Sequence, residues 1–215
     1  MKILVTGFDP FGGESINPAL EAVKRLPDSI RGAQIIKLEI PTVIGKSLAK
    51  IKETVLKESP DVVLSIGQAG GRADISVERI GINIDDCRIP DNEGNQPVDE
   101  PVVKGGPAAY FVTLPIKAIV EKLKSNKIPA SVSNTAGTFI CNHVCYGTAH
   151  FAATERGGKM KTGFIHIPLL PEQAIGKPVT TPSMALETVL KGIELAIEAI
   201  AENDADIKVS GGKIC

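Results

Sequence analysis

Short β-branched and aliphatic runs alternate along this chain with stretches whose apolar residues recur every three or four positions. The runs Lys2–Thr6, Gln34–Ile40, Asp61–Ile66, Ala130–Asn134 and Gly163–Pro168 predict strands. Asn17–Leu26 predicts a helix, with Asn17 as its cap and Pro18 at its first position. In Ile44–Glu58, the residues Ile44, Leu48, Ile51, Val55 and Leu56 fall near a helical period. Leu114–Ser125, Cys141–Arg156 and Ser183–Glu202 predict further helices. Asp74–Asp86 (DISVERIGINIDD) instead alternates by two, as a hairpin or meander strand would. Residues 87–107 are polar and rich in Pro and Gly and read as an excursion loop, and Leu169–Pro182 as a second loop.

Strands alternating with helices imply an α/β fold: a mostly parallel sheet covered on both faces, with a small antiparallel excursion. We expect one domain over residues 1–215. In such sheets a site forms beyond the carboxyl ends of the strands. Four unusual stretches follow predicted strands there: GFDPFGG, GQAGGR, NTAGTFIC and HIPLLPEQ.

Composition narrows the function classes. With 215 residues, 43% of them hydrophobic, the chain can bury a sizeable core. A formal net charge of −1 and 4% aromatics give neither the basic stripe nor the aromatic platforms of a nucleic-acid binder. The amino terminus has too few apolar residues for a signal peptide, and no window approaches the ~20 apolar residues of a membrane helix. A cytoplasmic protein is expected. Its four cysteines, Cys87, Cys141, Cys145 and Cys215, should then be mainly free thiols, and their spacing forms no paired zinc knuckles.

The chemistry concentrates in TFICNHVCYGTAH, residues 138–150. On a helix Cys141 and Cys145 share a face, while His143 lies about 200° from Cys141, so the three cannot converge on a metal. Cys141 stands near the helix start, where backbone N–H groups and the helix dipole lower a thiol pKa and can hold an oxyanion. Cys145 shares a small apolar stripe with Val144, Thr148, Ala149 and Ala152 and reads as core. His143 and His150 fall on the face away from Cys141 and read as surface or interface histidines. His166, at the carboxyl edge of an apolar strand, is the candidate base. For the acid that orients it, the residues leave Glu78, Asp85 and Asp86 open; the plainer reading of Glu78 is a surface pair with Arg79. GFDPFGGE has the glycine spacing of a phosphate loop, but Gly13 and Glu14 replace its Lys and Ser/Thr. Phe8 and Phe11 on that loop could wall a small-molecule slot.

TGFDPFGGESINP, GRADISVERIGINIDDCRIPDNEGNQP, NTAGTFICNHVCYGTAH and GFIHIPLLPEQ together resemble the pyroglutamyl peptidase I family, in order and over essentially the whole chain. The resemblance implies an open three-layer α/β/α sandwich, a homotetramer, and a cysteine peptidase that removes N-terminal pyroglutamyl residues without metal or cofactor. It selects Glu78 as the acid, Cys141 rather than Cys145 as the nucleophile, and His166 as the base. It implies a lactam pocket of Phe8, Phe11, Gln68, Ile89 and Phe139, with Arg88 near the oxyanion. Gly81 stands where the family commonly has Ala. A neutral lactam suits such a pocket, because aromatic walls can sandwich the ring and a few polar groups can read its N–H and C=O. Two other classes, a nucleoside-phosphorylase-like transferase and a non-enzymatic redox or metal-binding thiol protein, lack a phosphate cradle and a convergent ligand set respectively.

Overall fold

A computed structural model of the chain describes residues 1–212; Cys215 lies outside the described residues. The first apolar run forms β1 (Lys2–Phe8), buried along its length after Lys2, as an interior strand requires. Asn17 accepts a hydrogen bond from the Ala19 N–H at the start of α1 (Pro18–Arg25), so the cap falls where the sequence signals it. β2 (Ser29–Ile30), β3 (Ala33–Ile40), α2 (Lys46–Glu58) and β4 (Val62–Gln68) follow.

The alternating stretch after Asp74 is not a hairpin. It divides into β5 (Ile75–Glu78) and β6 (Ile80–Ile82), which belong to different sheets. β6 pairs with β7 (Ala109–Phe111), on the far side of the polar loop. β5 is buried on both faces and pairs within the main sheet. The apolar phase shifts at Glu78–Arg79, from Ile75 and Val77 to Ile80 and Ile82, and the break between the two strands falls there.

α3 (Ile116–Ser125), β8 (Ala130–Ser133), α4 (Ile140–Glu155), β9 (Lys161–Ile167), the single turn α5 (Pro171–Ala174) and α6 (Leu186–Glu202) complete the described chain. The main sheet has the order β2-β3-β1-β4-β9-β5-β8. β1, β3, β4 and β9 are parallel, whereas β5 and β8 run together in the opposite direction. The carboxyl-edge rule therefore covers the loops after β1, β4 and β9, but not the one after β8. The chain turns back after β8, and α4 begins beside the end of β4.

Two apolar cores lie on opposite faces of the sheet. α1, α3 and α6 pack on one face, through residues such as Val23, Ile119 and Ile193. α2 and α4 pack on the other, through Ile51, Val55, Val144 and Phe151. These are the three layers. α4 is also covered by the small sheet. At Gly81 in β6 a Cβ would stand 2.7 Å from the Tyr146 nitrogen, so glycine is what lets β6 approach the helix backbone.

Candidate active site

Alternation along β9 sends Ile165 and Ile167 to the core under α6, and Phe164 and His166 to the face under α4. The antiparallel register places Ser76 opposite His166, so Glu78, two residues on, shares that face. Glu78 Oε1 lies 2.7 Å from His166 Nδ1. The Arg72 guanidinium donates to the same oxygen at 2.6 Å and to the Thr135 carbonyl at 3.0 Å. Glu78 is fully buried, a costly place for a carboxylate unless a cation and hydrogen bonds offset the lost hydration. Oε1 already accepts from the Arg72 guanidinium, so the proton of the shared bond is assigned to His166 Nδ1. That leaves Nε2 as a bare acceptor.

Arg72 was not visible as a site residue in the sequence. It closes GQAGGR, a stretch that reads as a turn, and its one signal was the need of a buried Glu78 for a cation. The surface pairing of Glu78 with Arg79 does not occur: Arg79 binds the Asn134 side chain and the Gly211 carbonyl.

Cys141 is the second residue of α4 and keeps some exposure. Its Sγ stands where a Cβ on Gly67 would come within 2.9 Å. Gly67 is the register partner of His166 across the β4–β9 ladder, so the sulfur lies over the strand position beside that of the imidazole. The expected lowering of the thiol pKa is overturned. Burial, reinforced by the Glu78 charge, pushes it up to about 12, and the opposing pull of Arg72 is smaller. Burial likewise holds His166 below the ordinary imidazole value, outweighing the raising influence of Glu78. The helix terminus is real, but dehydration of the enclosed sulfur dominates it. At neutral pH the pair rests as thiol and neutral imidazole.

Cys145 is buried in the core under α4, as its helix face predicts, and burial pushes its thiol up as well. His143 corrects the outward reading. It points away from Cys141 but is buried, with Nδ1 2.8 Å from Asp85 Oδ2 and Nε2 accepting the Gly45 N–H at 3.1 Å. The reason is that residues 142–147 are all buried: α4 has the sheet, α2 and the small sheet around it, so no face is left to solvent. His150 packs flat on Tyr146 and binds the Tyr110 hydroxyl at 3.1 Å. Asp86 uses its backbone, exchanging two hydrogen bonds with Thr138.

Phe11 and Phe139 form a half-buried pair with ring centroids 6.3 Å apart. Phe8 lies deeper, in the core against Phe164, whose ring lies 4.8 Å from that of His166. Gln68 ends β4, and its Oε1 accepts a hydrogen bond from Gln173, a buried residue the sequence did not single out. Arg88 is exposed and Ile89 half-buried, on the loop of residues 87–107. That loop is tied down by Asp91, which accepts from the Ile44, Glu93 and Asn95 backbones, and by Asn92, which donates to the Pro10 carbonyl. Among the described residues no group of three His, Cys, Asp or Glu side chains is arranged to hold a metal ion.

Comparison with known proteins bears on this constellation. A family described as pyroglutamyl peptidase matches residues 1–203. The pyrrolidone-carboxylate peptidase of Treponema denticola is 81% identical, covering 100% of both chains, and that of Finegoldia magna is 68% identical, covering 99% of each. The crystal structure of pyroglutamyl peptidase I from Bacillus amyloliquefaciens superposes with a TM-score of 0.94 at 49% identity, covering 97% of this chain and 99% of that one. A mutant pyrrolidone carboxyl peptidase from Pyrococcus furiosus gives 0.90 at 46%, covering 94% and 99%.

Proposed function

This chain belongs to the pyroglutamyl peptidase family, and on that premise we propose that Cys141, His166 and Glu78 are its nucleophile, base and orienting acid. It is a cysteine-type hydrolase that removes an N-terminal pyroglutamyl residue from peptides. The observation that carries the assignment is the buried Glu78–His166 contact at 2.7 Å, beside the strand position over which the Cys141 sulfur lies.

Because thiol and imidazole rest uncharged, proton transfer accompanies attack. His166 Nε2 takes the Cys141 proton as the sulfur adds to the pyroglutamyl carbonyl, and Glu78 stabilises the imidazolium that forms. The N–H groups at the start of α4 are assigned to the developing oxyanion. Arg88, whose segment is bound to Thr138 through Asp86, is assigned to its outer side. His166 then protonates the leaving amine, and water, activated by the same imidazole, hydrolyses the thioester. Phe11 and Phe139 are assigned to the faces of the lactam ring, with Phe8 behind them and Gln68 and Ile89 at its rim.

Among the described residues no helix is long and apolar enough to cross a membrane. We place the protein in the cytoplasm as one domain assembled into a homotetramer, for which exposed Phe111, Ile175 and Val179 supply apolar surface. Light scattering of the purified protein checks the assembly. The decisive assay is release of pyroglutamate from a pyroglutamyl amide, with a prolyl amide as control, before and after thiol alkylation. Turnover of both substrates alike, or turnover that survives alkylation of Cys141, overturns the assignment.

A further inference from the structure

Asp85 and His143 form a second buried carboxylate–imidazole pair that the reaction does not use. We propose that His143 is a positioning residue, which through Asp85 and Gly45 holds the pocket-bearing loops against the nucleophile helix and so governs substrate affinity. This rests on the peptidase reading given above.

The connections are specific. His143 follows Cys141 by two residues in α4. Its Nδ1 meets Asp85, in the segment that leads to Arg88 and Ile89. Its Nε2 accepts the Gly45 N–H, in the loop before α2. Each of those segments is fastened in turn to another pocket element. Asp86 exchanges two backbone-directed bonds with Thr138, next to Phe139. Thr42 donates its backbone N–H to Asp9 Oδ1 at 2.6 Å and its hydroxyl to the Asp9 carbonyl, two residues before Phe11. Asn142 adds a parallel tie, binding the Ile82 N–H and the Ile82 and Ile84 carbonyls. The segments bearing Phe11, Ile89 and Phe139 therefore converge on one imidazole.

The donor at Gly45 fixes the chemistry of the pair. A backbone N–H can only donate, so Nε2 is unprotonated and the ring proton sits on Nδ1, facing Asp85. His143 is thus a neutral two-ended bridge. What it needs at position 85 is an acceptor, which an amide oxygen also supplies. Asp85 Oδ1 has no hydrogen-bond partner, so an amide at that position breaks no existing bond.

This separates positioning from bulk stability. Asp85→Ala is expected to raise KM for a pyroglutamyl amide by roughly tenfold to a hundredfold, because ring walls displaced by about 1 Å lose that much. Its kcat should change less than about threefold. Asp85→Asn should restore both constants to within about threefold of the parent, and so should protection of Cys141 from iodoacetamide by 2-pyrrolidinone. The protection measurement reads the pocket without turnover. An inactive parent enzyme would defeat the peptidase reading while leaving this arm informative. Should Asp85→Ala fail to fold, His143→Gln replaces it, keeping an acceptor for Gly45 and losing Asp85. The proposal is overturned if Asp85→Asn is as impaired as the alanine variant, or if thermal stability falls while KM and 2-pyrrolidinone protection stay at parental values.

Discussion

Gly67→Ala tests the geometry of the site with a single methyl group. A Cβ there would lie 2.8 Å from the far end of the Phe164 ring and 2.9 Å from Cys141 Sγ. Ordinary contacts between such atoms fall near 3.5–4.0 Å, so about 0.8 Å must be found on both sides. Phe164 is fully buried, and its ring lies 4.8 Å from that of His166, so retreat of the ring moves the base. Retreat of the sulfur moves the nucleophile. Either shift approaches the 1 Å displacement that costs about a hundredfold in rate. Overpacking of this kind costs about 1–3 kcal/mol of stability, which for a chain of this size lowers the midpoint by roughly 2–12 °C. The assay is kcat/KM on a pyroglutamyl amide, with the rate of Cys141 alkylation and the thermal midpoint measured on the same preparation. A Gly67→Ala enzyme within threefold of the parent in kcat/KM would refute the placement of Sγ against this strand position.

Further tests address the other residues. Cys141→Ala should abolish cleavage, while Cys145→Ala should keep most of it at a stability cost of about 1 kcal/mol; equal losses would show that both thiols serve the reaction. Arg72→Met leaves the buried Glu78 carboxylate without its cation, so denaturant titration should show a loss of about 3 kcal/mol, with kcat reduced; unchanged stability would mean that Arg72 does not compensate Glu78. Because His166 titrates below the usual 6.5 in the folded state, the acid limb of kcat/KM should have its midpoint below pH 6.5. The same shift makes the unfolded chain bind a proton first, so the stability contributed by neutral His166 is complete above pH 6.5 and declines as pH falls toward the folded value. An acid limb centred above pH 6.5 contradicts the burial argument.

How far the sequence revealed the molecule depends on which physics each residue answers to. Burial in a sheet or along a helix stripe leaves a periodic trace, so β1, β3, β4, β9 and the longer helices were readable. Strand direction leaves none: nothing in ISVE or ASVS encodes that β5 and β8 run against β9. The split between β5 and β6 falls where the apolar phase slips at Glu78–Arg79, but a slip of phase does not say which sheet each half joins. Position along the helix placed Cys141 at its start and Cys145 one turn in on an apolar stripe, and the structure buries Cys145 there. Helix geometry misplaced His143, because whether a helix face is wet depends on what else packs there. Of the acids left open by the residues, Glu78 is the one found against His166, and Asp85 the one found against His143. Arg72 acts across space from a loop, and no spacing rule connects it to Glu78.

The place of β9 in the sheet bears on how the enzyme comes into being. It is the last strand among the described residues, yet it lies between β4 and β5. Until it is added, β1–β4 and the β5–β8 pair share no backbone ladder. A growing chain that has not yet exposed Lys161–Ile167 carries its acid on the β5–β8 pair and its nucleophile on α4, with the base still in the ribosome. Peptidase activity therefore cannot precede closure of the sheet: the segment that welds the two halves is the one that brings the imidazole.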